Sequence, residues 1–90
     1  MPSNSTEEAA HSIPIRWERR ACRELCLLPM GARHRVVESV EALRENPLKG
    51  EQVDDEWRGI RRLSMGPADL VYAFNGEVLL VSRIRPRELG

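Results

Sequence analysis

No run of apolar residues in this chain is long enough to cross a membrane, and its first residues lack the basic-then-apolar layout of a secretory signal. Both absences make the cytoplasm the expected compartment. Cysteine is scarce, with only Cys22 and Cys26. A disulfide between them is disfavoured by their four-residue spacing in a helical pattern and by that compartment. Two thiols supply half of a metal set, and no nearby histidine or further cysteine completes it, so no metal or other cofactor is expected. Small buried core residues are the expected reading of the pair. Lysine is almost missing, Lys49 being the only one, so positive charge here means arginine. Net charge is missing as well, with 14 basic and 14 acidic residues. Neutrality argues against strong nonspecific nucleic-acid binding, which needs a clearly basic footprint.

What is present is a folding composition of 90 residues, 41% apolar and 31% charged, enough for one small domain and no second core. The charge is unevenly spread. Residues 1–56 carry 8 basic and 11 acidic groups, and residues 57–90 carry 6 and 3. A basic face on the C-terminal part is therefore compatible with whole-chain neutrality.

Residues 1–11 are polar, small and without period, and are expected to be a flexible leader to a single domain over 12–90. "SIPIRWE" alternates Ile13, Ile15 and Trp17, a strand signal, with Pro14 suited to an edge or a start. "RWERRACRELCLLP" then changes to a helical period through Ala21, Cys22, Leu25, Cys26 and Leu28, and ends at Pro29. "GARHRVVESVEALRENP" carries a second stripe, Val36, Val37, Val40 and Leu43, stopped by Asn46-Pro47. Two amphipathic helices joined by Pro-Met-Gly read as an αα-hairpin. After the acidic stretch around "EQVDDEW" come "WRGIRRLSM", "DLVYAFN" and "EVLLVSRI", three strand-like runs with turns at Gly66-Pro67 and Asn75-Gly76. The expected fold is α+β: an N-terminal strand, an αα-hairpin, then a three-stranded antiparallel meander, all in one twisted sheet.

Alternation phases that sheet. Leu70, Tyr72 and Phe74 are the bulky set and face the helices, which sends Asp69, Val71 and Ala73 to the other side. Leu63 and Met65 belong to the core side of the preceding strand, and Arg62 to the outer side. The same parity puts Arg61 on the core side, a conflict that a bulge or an edge position would relieve. Arg83, Arg85 and Arg87 stand two apart at the end of the last strand, so an extended backbone places them in one row. Such a row either meets an anion or is simply solvated.

The ordered landmarks "IRWERRACRELCLLP", "RVVESVEALRENPLKGEQV", "WRGIRRL", "LVYAF" and "VLLVSRIRPRE" resemble the RelE/ParE toxin superfamily over about residues 13–88. The resemblance implies a helical hairpin packed on a largely antiparallel sheet, and the toxin of a type II toxin–antitoxin pair. It also implies one of two activities. RelE-like members cut mRNA in the ribosomal A site, and ParE-like members inhibit DNA gyrase without an established hydrolytic site. Both are neutralised by an antitoxin that wraps the toxin.

Cleaving RNA through its 2′-hydroxyl needs a base, an acid and cations that stabilise charge on the phosphorane. Arginine serves the third need through its forked donors and permanent charge, and serves the first two poorly for the same reason. By resemblance, the site residues are Arg62 on the second strand of the fold, the first of the meander, and Arg83, Arg85 and Arg87 on the last. Arg61 and Trp57 are further candidates for holding RNA, Trp57 either as a stacking platform or as a core plug. Two departures stand out. Asp69 occupies the position before "LVY" where an arginine is usual, and "RPRELG" ends the chain without tyrosine or histidine. Asp69 has three available roles: a base, an internal partner for an arginine, or a solvated surface group. Glu88 is expected to pair with Arg85 or Arg87, and His34 to be an exposed helix residue. The favoured reading is a RelE-like ribosome-dependent mRNA endonuclease, with an antitoxin and the ribosome with its mRNA as partners. Its alternatives are a ParE-like gyrase inhibitor, a non-toxic binding member, or a domain used only for assembly.

Overall fold

The computed structural model describes residues 13–53 and 59–87. The leader, Trp57 and Glu88 lie outside the described residues. Seven elements follow in order: β1 (Ile15–Trp17), α1 (Arg19–Cys26), α2 (Met30–Ala42), β2 (Glu51–Gln52), β3 (Ile60–Ser64), β4 (Ala68–Phe74) and β5 (Leu79–Pro86). The strands form one five-stranded sheet in the order β1-β5-β4-β3-β2. The meander β3-β4-β5 is antiparallel as expected. Two features extend the expectation: β1 joins the far edge parallel to β5, making the sheet mixed, and the two-residue β2 adds an edge beside β3. No helix among the described residues is long and apolar enough to span a membrane.

Both helices lie on one face of the sheet because each carries a single i, i+4, i+7 stripe. On α1 the stripe is Ala21 and Leu25, continued by Leu28 just past the helix; on α2 it is Val36, Val40 and, at the C-cap, Leu43. Together with Leu70, Tyr72, Leu79, Val81 and Ile84 these residues make the core. Cys22, Cys26 and Val37 each stand one residue off their stripe, about 100° around the helix. All three are exposed, which corrects the expectation of two buried cysteines and of Val37 as a stripe residue. Arg33 ties the hairpin together by donating from Nη2 to the carbonyls of Cys26 and Leu28, which the end of α1 leaves without helical partners.

The phase read for β4 holds. Ala68, Leu70 and Tyr72 are buried under the helices, with Asp69, Val71 and Ala73 half-buried on the other face. Arg61 pairs across from Tyr72 and so does lie on the helix side. No bulge relieves it there. Instead Nη1 of Arg61 donates to the carbonyls of Gly50 and Leu48, at 2.7 and 3.3 Å. The Tyr72 hydroxyl completes this lock by donating to Pro47 O at 2.7 Å and accepting from Gly50 N–H at 2.9 Å. Gly50 is required by space: a Cβ there would stand 2.9 Å from the Tyr72 ring and hydroxyl and 3.0 Å from the Arg62 carbonyl. At the other end of β4, Asn75 Oδ1 accepts from the amides of Glu77 and Val78, and Gly76 supplies the positive φ of the turn.

Burial raises the Tyr72 pKa above 10.0, against smaller lowering by the Gly50 hydrogen bond and the Arg61 charge. A folded-state value above the unfolded one means that unfolding is favoured as phenolate forms in the unfolded chain. The Tyr72 contribution to stability is therefore complete below pH 10 and declines as pH rises through the unfolded and then the folded value. Tyr72 is the only tyrosine, so absorbance at 295 nm should report phenolate in step with loss of structure. Tyr72→Phe should lower the unfolding free energy at neutral pH by about 1–3 kcal/mol, the range for leaving buried polar partners unpaired, as read by urea denaturation.

Candidate anion-binding face

The face of the sheet turned away from the helices is assembled by register, since residues directly opposite one another share a face. One row runs across four strands through Glu51, Arg62, Val71 and Arg83. The neighbouring row is Ser64, Asp69 and Arg85. With adjacent strands about 4.8 Å apart, Arg62 and Arg83 arise two strands apart on a shared surface, with Val71 between them.

Simple alternation does not put Arg83 there. Leu79 and Val81 of β5 are fully buried on the helix side, and continued alternation would bury position 83 as well. The register shifts at this point: Tyr72 pairs with Val81, yet its neighbour Val71 pairs with Arg83, leaving Ser82 as an extra residue. This bulge reverses the phase of the strand. Beyond it Ile84 is buried, and Arg83 and Arg85 belong to the outer face. The apolar spacing Leu79, Val81, Ile84, two and then three apart, is the sequence signal of that reversal. Arg87 lies just past the strand, its amide bonded to Pro67 O. Its side chain returns toward the same surface, with Nε 3.6 Å from Asp69 Oδ1.

Glu24, on α1, was not among the residues singled out from the sequence, and it sits at the rim of this face. Pairing of β1 with β5 ends at Val81. Beyond that point Glu24 reaches the edge of β5: Oε1 accepts the Ile84 amide at 2.7 Å, and Oε2 lies 3.1 Å from both Nε and Nη2 of Arg83. Its side chain is 19% exposed against 37% for that of Arg83. Glu24 therefore fastens α1 to the phase-reversed segment of β5.

Asp69 is held by two neighbours, the Ser64 hydroxyl at 3.2 Å and Arg87. The geometry thus gives it an internal partner. Arg62 and Arg85 have no ion-pair partner among the described residues. Arg61 is on the opposite face and committed to carbonyls, Tyr72 is in the core, and His34 is exposed on α2. The arrangement can hold an oxyanion and stabilise charge developing on it. Farther along the outer face a concavity of about 510 Å³ is lined by Arg16, Ala73, Asn75, Val78 and Leu80. Its walls are mainly apolar and it contains none of the arginines of the cluster.

Neither a family model nor a curated protein matches the sequence. Solved structures do match. The RelBE2 toxin–antitoxin complex from Mycobacterium tuberculosis aligns at TM-score 0.74 and 25% identity, covering 83% of this chain and 98% of that one. The isolated E. coli RelE toxin aligns at TM-score 0.73 and 15% identity, covering 88% of each chain. The chromosomal ParDE system from P. aeruginosa aligns at 0.65 and 23%, covering 87% of this chain and 99% of that one. The chain thus has the RelE/ParE toxin fold that its sequence resemblance implied, a fold found here in both RelE and ParE systems. This likeness supports a toxin of a toxin–antitoxin pair.

The Asp69–Arg87 contact is longer than a hydrogen bond and both side chains are partly solvated, at 26% and 48%. Asp69→Asn should accordingly change the unfolding free energy by less than about 1 kcal/mol, measured by urea denaturation at moderate salt.

Proposed function

We propose that this chain is the toxin of a type II toxin–antitoxin pair and acts as a RelE-like, ribosome-dependent mRNA endonuclease in the cytoplasm. The observation that carries the reading is the outward placement of Arg83 and Arg85 beside Arg62, produced by the extra residue Ser82. In this reading Arg62, Arg83, Arg85 and Arg87 hold the backbone phosphate and stabilise the phosphorane as the 2′-oxygen attacks. Arginine remains protonated throughout, so these residues supply charge and orientation and leave proton transfer to other groups. Asp69 is the carboxylate set among them, placed on this surface by the register of β4 and 3.6 Å from Arg87 Nε. The antitoxin partner is read from the neighbours, several of which are toxin–antitoxin complexes. An acidic antitoxin segment would compete with RNA for the same guanidinium groups.

One observation favours a second reading, a ParE-like toxin that acts by binding DNA gyrase. Asp69 is engaged by Ser64 and Arg87, and the single tyrosine is buried in the core. The outer face is therefore much better supplied with anion-binding groups than with groups that move protons.

Primer extension on an mRNA incubated with the purified chain, with and without translating ribosomes, separates the two. The endonuclease reading expects cuts only with ribosomes, at fixed positions within codons. Folded protein that gives no cuts but inhibits supercoiling by gyrase would replace it with the second reading. Reversing Arg62 and Arg85, neither of which has an ion-pair partner among the described residues, to Glu should abolish growth inhibition on induction while the far-ultraviolet circular dichroism spectrum is retained, since both side chains are exposed. Full toxicity of that variant would remove the two residues from the site.

A further inference from the structure

We infer that Glu24 is a positioning residue for Arg83, fixing which edge of its guanidinium is presented to phosphate. The inference rests on the reading of the outer face as a phosphate-binding surface. Arginine has five N–H donors in a planar fork. Glu24 Oε2 lies 3.1 Å from Nε and 3.1 Å from Nη2 of Arg83, so the side edge of the fork is occupied. The end edge, formed by Nη1 and the remaining Nη2 N–H, is the one left to make two parallel bonds to a phosphate. A long side chain that would otherwise sample many rotamers is thereby ordered before any ligand arrives.

The two oxygens of Glu24 have separable tasks. Oε1 holds the Ile84 amide at 2.7 Å and secures the end of the bulge, whereas Oε2 addresses Arg83. Glu24→Gln can keep the first contact through its remaining oxygen. It replaces the second by an amide NH₂, a donor facing a donor. The substitution thus releases Arg83 while retaining a cap for the strand edge.

The sign of the effect on binding distinguishes positioning from charge alone. Glu24→Gln makes the protein more positive by one charge close to the arginine cluster. Attraction between net charges would then tighten RNA binding. Loss of a positioned fork would weaken it, despite the added charge.

The experiment measures fluorescence anisotropy of a short single-stranded RNA oligonucleotide with the full chain, across a salt series. It compares the wild type, Glu24→Gln, Arg83→Ala and the double variant, with a melting curve for each. The expected result is that Glu24→Gln weakens binding by about 2- to 10-fold, the range for ordering one rotamer-rich side chain. Its salt slope should fall toward that of Arg83→Ala, and adding it to Arg83→Ala should cause no further weakening. Unchanged or tighter binding by Glu24→Gln, with Arg83→Ala still weakened, overturns the positioning role and leaves the arginine face intact. Wild-type binding by Arg83→Ala removes Arg83 from the phosphate surface, and the inference about Glu24 falls with it. Should Glu24→Gln melt too early to assay, Arg83→Lys serves instead, since it keeps the charge and loses the fork. It should bind more weakly than the wild type, and wild-type affinity would overturn the proposal.

Discussion

The charged outer face of this sheet depends on one extra residue. A regular β5 would send Leu79, Val81 and positions 83 and 85 to the same side, placing arginines under the helices. Burying unpaired guanidinium groups there would carry a heavy desolvation penalty. Ser82 reverses the phase, so the first half of β5 supplies the core and the second half supplies the charged face, with Ile84 restoring an apolar contact beneath. Pairing with β1 has ended by this point, which leaves the Ile84 amide without a strand partner at that edge. The Glu24 carboxylate meets that need and holds Arg83 in the same step. Strand phase, edge cap and site geometry are thus one feature of the structure.

The other arginine that alternation sends toward the helices, Arg61, follows the opposite solution. It remains on the core side and directs Nη1 to the carbonyls of Leu48 and Gly50, next to the buried Tyr72 hydroxyl, while its Nε is buried without a hydrogen-bond partner. The segment from Pro47 to Gly50 is short and carries no regular structure of its own, so its polar backbone needs partners from the sheet. Tyr72 and Arg61 provide them from adjacent strands. The consequence is a division of labour between neighbouring residues in sequence. Arg61 holds the connection between α2 and β2, and Arg62, one position later and on the opposite face, joins the outer row that contains Arg83.

Much of this was legible in the sequence because it rests on period. The alternation of Leu70 and Tyr72 against Asp69 and Val71 gave the orientation of β4, and the awkward parity of Arg61 was an accurate reading of its position. The order of elements and the RelE/ParE resemblance were likewise carried by local pattern. Other features depended on contacts between residues distant in the chain. A three-residue strand such as β1 does not declare whether it will pair parallel or antiparallel, and the two residues of β2 have no period at all. Cys22 and Val37 lie next to genuine stripe residues, and a small or apolar side chain one step off the stripe is hard to separate from the stripe itself. Glu24 lies 59 residues from Arg83 and looks in sequence like one more charge on a helix. The reversal at Ser82 did leave a trace, the three-residue step from Val81 to Ile84, which strict alternation passes over.

The charge of the chain acquires meaning once its arginines are sorted by partner. Among the described residues, Arg33 and Arg61 are committed to backbone carbonyls, Arg44 to Glu41, Arg83 to Glu24, and Arg87 to Asp69. Zero net charge therefore coexists with an outer face on which Arg62, Arg83, Arg85 and Arg87 outnumber the described acidic groups there, Glu24, Glu51 and Asp69. The pairs on the face itself differ in kind. Glu24 is largely shielded and engages one edge of a fork, which leaves the rest of Arg83 available. Asp69 and Arg87 form a longer, more solvated contact, and such a pair gains little in water. An incoming phosphate or carboxylate can displace the second pairing far more readily than the first. The face thus combines a fixed cation, a loosely self-neutralised one at Arg87, and Arg62 and Arg85 without ion-pair partners among the described residues. In the proposed reading, that gradation suits a surface on which a nucleic-acid phosphate and an acidic protein segment compete, since each anion can exchange with Asp69 without disturbing the contact that holds β5 to α1.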